Sequence, residues 1–180
     1  MTAISQKMCM IGDFGVGKTS LIRRFVDRQF SDQYLSTVGV KISRKAVEVA
    51  LGDAEQTAQA VQLLIWDLEG RTKFKAIAPS YLQGSKGALV VGDVSRPETI
   101  ERLGEHIQLF SSVNPKGIII LALNKIDLID PQKLEQLREM VREEHTRAIA
   151  LYTTSAKTGE NVDEIFSTLA LNMVRPLLAP

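Results

Sequence analysis

The chain has 180 residues, of which 44% are hydrophobic and 24% charged, and this composition suits one globular domain spanning residues 1–180. A formal net charge of +1 gives no electrostatic basis for binding nucleic acid or an anionic membrane. The one cysteine, Cys9, excludes a disulfide framework within the chain. No signal-peptide pattern or bilayer-length apolar run is present, so we expect a cytoplasmic protein.

Hydrophobic periodicity predicts strands that alternate with helices along the chain. Two continuous apolar runs, Ala88–Val91 and Ile118–Leu123, indicate strands that are buried on both faces. The predicted strands are Lys7–Ile11, Val40–Leu51, Val61–Asp67, Ala88–Val94, Ile118–Asn124 and Ile149–Thr153. The predicted helices are Lys18–Arg28, Thr72–Leu82, Pro97–Ser112, Pro131–Glu144 and Asn161–Val174.

This alternation predicts an α/β fold in which a six-stranded, mostly parallel sheet with one antiparallel strand is flanked by five helices. The antiparallel strand is expected in the second position, because Gly52–Ala60 is too short for a crossover helix. Apolar residues in that strand change parity, which predicts a bulge or break near Ser43–Lys45. The alternative is a regular strand that is apolar on both faces.

The segment Gly12–Ser20 fits the pattern G-x-x-x-x-G-K-[ST], a P-loop that surrounds the phosphates of a nucleotide. Glycines are needed because consecutive backbone N–H groups must converge on the phosphate oxygens. Lys18 would contact the outer phosphates, and the Thr19 hydroxyl would ligate Mg²⁺. The alternative is a glycine-rich turn that only joins a strand to a helix. The phosphate-binding residues predicted from the motif are Gly12, Asp13, Phe14, Gly15, Val16, Gly17, Lys18, Thr19 and Ser20.

Two further motifs predict which base is bound. Asn124-Lys125-Ile126-Asp127 follows the fifth predicted strand, and Ser155-Ala156-Lys157 follows the sixth. The Asp127 carboxylate can accept hydrogen bonds from guanine N1–H and N2, whereas adenine would leave it unpaired at a cost of roughly 1–3 kcal/mol. On its own, such a motif is a plain polar turn about as often as it is a base-binding loop. Because it follows a P-loop here, it indicates guanine binding. The predicted base-binding residues are Asn124, Lys125, Asp127, Ser155, Ala156 and Lys157.

With these motifs in this order, the chain resembles the Ras superfamily of small GTPases and is nearest to its Rab branch. Further similar segments are Phe30–Gly39, Ile65–Asp67 with Gly70, and Val90–Val94. The resemblance implies that Phe30 packs on guanine, that Tyr34 and Thr37 belong to switch I, and that Thr37 ligates Mg²⁺. It also implies that Asp67 holds Mg²⁺ through water and that the Gly70 N–H binds the γ-phosphate.

As ligands the resemblance implies GTP or GDP with Mg²⁺. As partners it implies an effector bound through switch I and switch II, and it leaves room for exchange and activating proteins. The chain ends Arg175-Pro176-Leu177-Leu178-Ala179-Pro180 without the cysteines that receive prenyl groups in Rab-like chains, so we expect no direct lipid anchor. Membrane targeting is then absent or supplied by a partner, or the chain is a domain of a longer protein. A monomer is expected, and the missing anchor would suit a prokaryotic origin.

Three departures from the family pattern bear on catalysis. Arg71 stands where the family has a water-orienting glutamine, Glu69 replaces a small alanine, and Phe14 occupies a position that is usually small. A guanidinium only donates hydrogen bonds, so Arg71 cannot accept one from the attacking water, although it can neutralise the γ-phosphate or point to solvent. The predicted catalytic residues are Arg71, Glu69 and Gly70, with Glu69 as a less favoured acceptor.

We therefore expect slow intrinsic GTP hydrolysis. The alternative is a pseudo-GTPase that stays bound to GTP and serves as a partner-binding module. A P-loop ATPase or kinase ranks third, because Asp127 opposes it and no lid segment is present. His106 and His145 are predicted to be surface or packing residues, and the tip 52–60 is either a tolerated insertion or a partner contact.

Overall fold

The structure is a computed structural model, and it describes residues 3–33, 37–51, 58–70 and 79–178. Six strands form one sheet in the order β2-β3-β1-β4-β5-β6. Only the β2–β3 pair is antiparallel among the described strands. The strands are β1 (Ile4–Gly12), β2 (Val40–Ala50), β3 (Ala58–Leu68), β4 (Gly87–Asp93), β5 (Ile118–Asn124) and β6 (Ala150–Thr154). The α-helices are α1 (Lys18–Asp27), α2 (Pro79–Leu82), α3 (Pro97–Glu101), α4 (Leu103–Val113), α5 (Pro131–Glu144) and α6 (Val162–Leu178).

The predicted fold class is confirmed, including the single antiparallel pair and the five helical regions. The third region, predicted as one helix, is divided at Arg102 into α3 and α4. Of the predicted helix Thr72–Leu82, only α2 falls within the described residues. Most of the predicted hairpin tip also lies outside the described residues. Within the described ranges, no helix has both the length and the apolarity needed to cross a membrane.

Helices cover both faces of the sheet because successive strand residues point to opposite sides. Met8 and Met10 of β1 pack with α1 and α6, whereas the intervening Cys9 packs with α4 and α5. On the first face the rings of Phe25 and Phe166 stack 4.1 Å apart, which contributes about 0.5–1.5 kcal/mol beyond the area they bury.

The prediction of a bulge or break near Ser43–Lys45 is wrong. Pairing between β2 and β3 runs without interruption from Val40 opposite Leu68 to Ala50 opposite Ala58. The apolar residues of β2 change parity because this edge strand packs on both faces. Val40 contacts the layer of α4 and α5, whereas Val49 contacts the layer of α1 and α6.

Candidate nucleotide-binding site

The carboxyl ends of the five parallel strands meet at one edge of the sheet, where ligands bind in α/β folds. A cavity of about 300 Å³ lies at this edge. The P-loop, the start of α1, residues 29–33, Thr37, Gly70 and both predicted base-binding loops line it. Motifs that are far apart in the sequence therefore surround a single cavity.

The glycines of the P-loop are required by packing as well as by backbone conformation. Gly15 and Gly17 have φ of 73° and 103°, values that favour glycine. A Cβ on Gly17 would lie 2.3 Å from Nδ2 of Asn124, the last residue of β5. Gly17 also precedes α1, and within the described residues no side chain caps this helix. The first N–H groups of α1 are thus available to an anion.

Lys18 is the buried cation of the site, with 6% of its surface exposed. Its Nζ donates to the carbonyls of Gly12 and Asp13, each at 2.8 Å. Burial lowers the pKa of Lys18 to about 8, although the nearby charges of Asp67 and Asp13 act to raise it. A buried ammonium whose hydrogen bonds within the described residues go to carbonyl oxygens favours an anionic ligand beside it.

Three oxygen-bearing side chains converge beside the start of α1. Thr19 Oγ1 donates to Asp67 Oδ2 at 2.6 Å and lies 2.7 Å from Thr37 Oγ1. Thr37 Oγ1 also donates to Asp67 Oδ2, at 3.3 Å. The buried Asp67 Oδ1 has no hydrogen-bond partner within the described part of the chain. Desolvation raises the pKa of Asp67, although the Thr19 hydrogen bond and the charge of Lys18 act to lower it.

These donors fit Mg²⁺, which prefers hard oxygen ligands and is usually held by one or two carboxylates together with ligand phosphates. Thr19, Thr37 and Asp67 offer two hydroxyls and one carboxylate with an unpaired oxygen. No group of three or more His, Cys, Asp and Glu side chains forms a metal site among the described residues. A metal here would therefore take much of its coordination from the bound ligand and from water.

The loop after β5 is joined to the P-loop by two side chains. Asn124 Nδ2 donates to the Val16 carbonyl at 3.0 Å. Lys125 Nζ donates to the Gly15 carbonyl at 2.7 Å and lies 2.7 Å from Asp93 Oδ2, an ion pair. These contacts fix the predicted base-binding loop relative to the predicted phosphate-binding loop.

The loop after β6 is joined in turn to the loop after β5. Ser155 Oγ donates to Asp127 Oδ1 at 2.7 Å, which orients that carboxylate. The Ala156 N–H lies 3.4 Å from Asn124 Oδ1, and Thr154 Oγ1 donates to the same oxygen at 3.1 Å. Asp127, Ala156 and Lys157 all line the cavity.

The structure brings most of the predicted site residues to the cavity wall. Phe14, Gly15, Gly17, Lys18, Thr19, Ser20, Phe30, Thr37, Gly70, Asn124, Lys125, Asp127, Ala156 and Lys157 line it. Gly12, Asp13, Val16, Asp67, Glu69 and Ser155 do not line it. Tyr34 and Arg71 lie outside the described residues.

Glu69 contacts Gly39 rather than the cavity wall. Its N–H donates to the Gly39 carbonyl at 2.9 Å, and its Oε2 accepts from the Gly39 N–H at 2.9 Å. Gly70, the next residue, approaches the P-loop so closely that a Cβ on it would lie 2.5 Å from Lys18 Nζ. The two residues predicted to be catalytic neighbours thus face different partners.

Sequence reasoning missed several residues at this edge. Arg23, Gln29, Asp32 and Gln33 line the cavity, although no motif identified them. His106, predicted to be a surface or packing residue, has its Nε2 2.9 Å from Asp13 Oδ1 of the P-loop. The one available signal was the four-residue spacing of Arg102 and His106, which places both on one face of a helix.

A strand, a P-loop and a helix at this sheet edge define a P-loop nucleoside triphosphatase fold. The sequence profile of the Ras family matches residues 7–175. GTP-binding protein ypt5 of Schizosaccharomyces pombe is 34% identical over 94% of this chain and 78% of its own. Ras-related protein Rab-13 of Rattus norvegicus is 33% identical over 93% of this chain and 79% of its own. Ras-related protein RABF2b of Arabidopsis thaliana is 35% identical over 96% of this chain and 83% of its own.

The chain belongs to the Ras family. The resemblance predicted from the motifs is thereby confirmed, including its similarity to Rab proteins.

Proposed function

We propose that this Ras-family protein is a molecular switch that alternates between GTP-bound and GDP-bound forms. One observation carries the proposal. Asn124 and Lys125 of the base-binding motif donate to carbonyls of Val16 and Gly15 in the P-loop, so the two motifs surround one cavity. A ligand held there would have its phosphates at the start of α1 and its base beside Asp127.

Guanine is favoured by the position of Asp127. The carboxylate lines the cavity and is oriented by the Ser155 hydroxyl. A carboxylate only accepts hydrogen bonds, so it pairs with the N1–H and N2 amine of guanine and finds no donor on the same edge of adenine. The stem of Lys125 would cover one face of the base, and Phe30 would pack on the ring.

Mg²⁺ would be held by Thr19 and Thr37, with Asp67 acting through water. When bound, the ion neutralises negative charge on the phosphate oxygens. Lys18 supplies the protein's own charge at the same place and is already buried against the P-loop carbonyls. Residues on both predicted switches contribute, because Thr37 precedes β2 and Asp67 lies near the end of β3.

The switch itself would follow from the γ-phosphate. Thr37 and Gly70 both line the cavity, and each would be drawn in by a third phosphate group. The Gly39–Glu69 pair joins the segments that carry them, so the two segments would move together. An effector that recognises this arrangement would read the bound nucleotide, and exchange or activating proteins would act at the same segments.

Hydrolysis is proposed to be slow. Arg71 offers the attacking water no acceptor. The Glu69 carboxylate, the other candidate, accepts from the Gly39 N–H. Phe14, which is 40% exposed at the cavity, would crowd an arginine offered by a partner. The Glu69 contact also favours the second candidate function, a partner-binding module that keeps GTP bound.

The test is to identify the nucleotide that co-purifies with the protein and to follow its conversion with time. Affinities for GDP, GTP, ADP and ATP are then measured with Mg²⁺ present. Guanine nucleotides should bind far more tightly than adenine nucleotides, and slow turnover with measurable GDP release favours the switch. Permanent GTP without turnover favours the module, and equal affinity for both bases overturns the proposal.

A further inference from the structure

The side chain of Asp13 points away from the cavity, towards the helical region that follows β4. Its carboxylate is buried, with 2% of the side chain exposed. Arg102 Nη1 donates to Asp13 Oδ2 at 2.7 Å, and His106 Nε2 lies 2.9 Å from Oδ1. The next P-loop residue is held from the same region, because Arg96 Nη1 donates to the Phe14 carbonyl at 2.7 Å.

We propose that Arg102 and His106 are positioning residues for phosphate binding, which they support by holding and neutralising Asp13. The inference rests on the proposed nucleotide-binding function. Neither residue lines the cavity, so both act through the P-loop rather than on the ligand itself.

The first step of the argument concerns charge. Asp13 brings a buried carboxylate into the loop that is proposed to surround the phosphates. Two like charges in a poorly solvated site repel each other strongly. Arg102 places a cation on one carboxylate oxygen, and His106 occupies the other. Loss of either partner would leave a buried charge only partly compensated, next to an anionic ligand.

The second step concerns the position of the loop. Lys18 Nζ bonds to the carbonyls of Gly12 and Asp13 in this structure. The ammonium has three donors, so these two bonds leave one for a phosphate oxygen. Arg102 and His106 hold the same loop through Asp13, and their contacts do not involve the ligand, so they would be kept when a ligand binds. Together with the Lys18 bonds, they would set how firmly the phosphate-binding N–H groups are held.

The third step concerns the support behind these side chains. Arg102 lies at the junction of α3 and α4, and His106 is four residues further on, on the same face of the helical region. Leu103, Ile107 and Phe110 of α4 are buried against the sheet. The pair is therefore mounted on a rigid element, as a positioning group requires.

The experiment measures the rate at which fluorescently labelled GDP leaves the protein when excess GDP and Mg²⁺ are present. His106→Leu and Arg102→Met should each release GDP about tenfold faster than wild type. His106→Gln keeps an N–H donor for the carboxylate, and Arg102→Lys keeps the charge, so each should release GDP more slowly than His106→Leu or Arg102→Met. The double variant His106→Leu with Asp13→Asn should also release GDP more slowly than His106→Leu alone, because the uncompensated charge is removed.

Two control variants match the tested residues in exposure. His145→Leu is the control for His106→Leu, because 14% of the His145 side chain is exposed against 16% for His106. Arg138→Met is the control for Arg102→Met, because 38% of the Arg138 side chain is exposed against 39% for Arg102. Both contact glutamates rather than the P-loop, and both variants should release GDP at the wild-type rate.

Melting temperatures without nucleotide separate positioning from folding. Unchanged GDP release in both His106→Leu and Arg102→Met overturns the inference, including when the melting temperature falls. If His106→Leu does not fold, Arg102→Met decides, because its partly exposed side chain can be replaced without opening the core. A wild-type protein that binds no guanine nucleotide overturns the proposed function and this inference with it; a failure confined to the variants overturns only the inference.

Discussion

Glu69 and Gly39 are joined by two hydrogen bonds, one from each N–H. The Glu69 N–H donates to the Gly39 carbonyl, and the Gly39 N–H donates to Glu69 Oε2, both at 2.9 Å. This pairing directly follows the last strand pair, Val40 opposite Leu68. It extends the antiparallel ladder by one residue and joins the segment bearing Thr37 to the segment bearing Gly70. A carboxylate engaged in this way is a poor candidate for orienting water.

The first prediction concerns the role of Glu69. Glu69→Ala should leave single-turnover GTP hydrolysis within about threefold of wild type, since the carboxylate already accepts a backbone N–H. Stability should fall by about 1 kcal/mol because that hydrogen bond is lost. Glu135→Ala, on the exposed face of α5, serves as a control. A fall of tenfold or more in hydrolysis, with GTP affinity unchanged, would identify Glu69 as the acceptor instead.

The second prediction concerns Arg71, which lies outside the described residues. Arg71→Gln should raise single-turnover hydrolysis by at least about tenfold, because glutamine both accepts from the attacking water and donates to the phosphate. Arg138→Gln, a change of the same kind on α5, controls for loss of an arginine. Fast wild-type turnover that falls in Arg71→Gln would mean that the guanidinium is catalytic.

The third prediction concerns the choice of base. Asp127→Asn replaces one acceptor oxygen with a donor, so the preference should move from guanine to xanthine nucleotides. GDP affinity should fall by about tenfold to a hundredfold, the effect of leaving one buried polar group unpaired. Competition between GDP and XDP measures both effects. Asp130→Asn, at the N-terminal cap of α5, should change neither, and an unaltered preference in Asp127→Asn would remove Asp127 from base recognition.

Most strands and the two loop motifs could be predicted because their signals are local. A buried parallel strand appears as a continuous apolar run, and Ile118–Asn124 was predicted with the bounds that β5 has. The P-loop is a nine-residue pattern whose neighbouring strand and helix can be read beside it. Its convergence with the base-binding motif follows from the rule that parallel strands end at one edge.

The errors arose where packing across the chain decides the structure. A change of apolar parity in β2 could mean a bulge or burial on both faces, and only the position of the strand at the sheet edge distinguishes them. The break at Arg102 carries no glycine or proline at that residue. Asp13 and His106 are 93 residues apart, so no local pattern could pair them.

The fourth prediction concerns pH and follows from the burial of Lys18. In this structure the pKa of Lys18 is about 8, lowered by desolvation. Phosphates beside the ammonium would raise that pKa. At a pH between the Lys18 pKa of the free protein and that of the complex, Lys18 is protonated in the complex and deprotonated in the free protein. Nucleotide binding then takes up a proton, and GDP affinity should be nearly constant below pH 8 and fall by about tenfold for each pH unit above it.

Titrations of GDP at pH 7, 8 and 9 check this prediction, and guanosine controls for titration of the base because it carries no phosphate. Lys18→Met should bind GDP weakly at every pH and lose the dependence above pH 8. Burial raises the pKa of Asp67, so its carboxylate should take up a proton as the pH falls and then bind Mg²⁺ more weakly. An affinity for GDP that stays constant up to pH 9 would mean that Lys18 keeps its proton in the free protein, and the burial of its ammonium would then have no effect on binding.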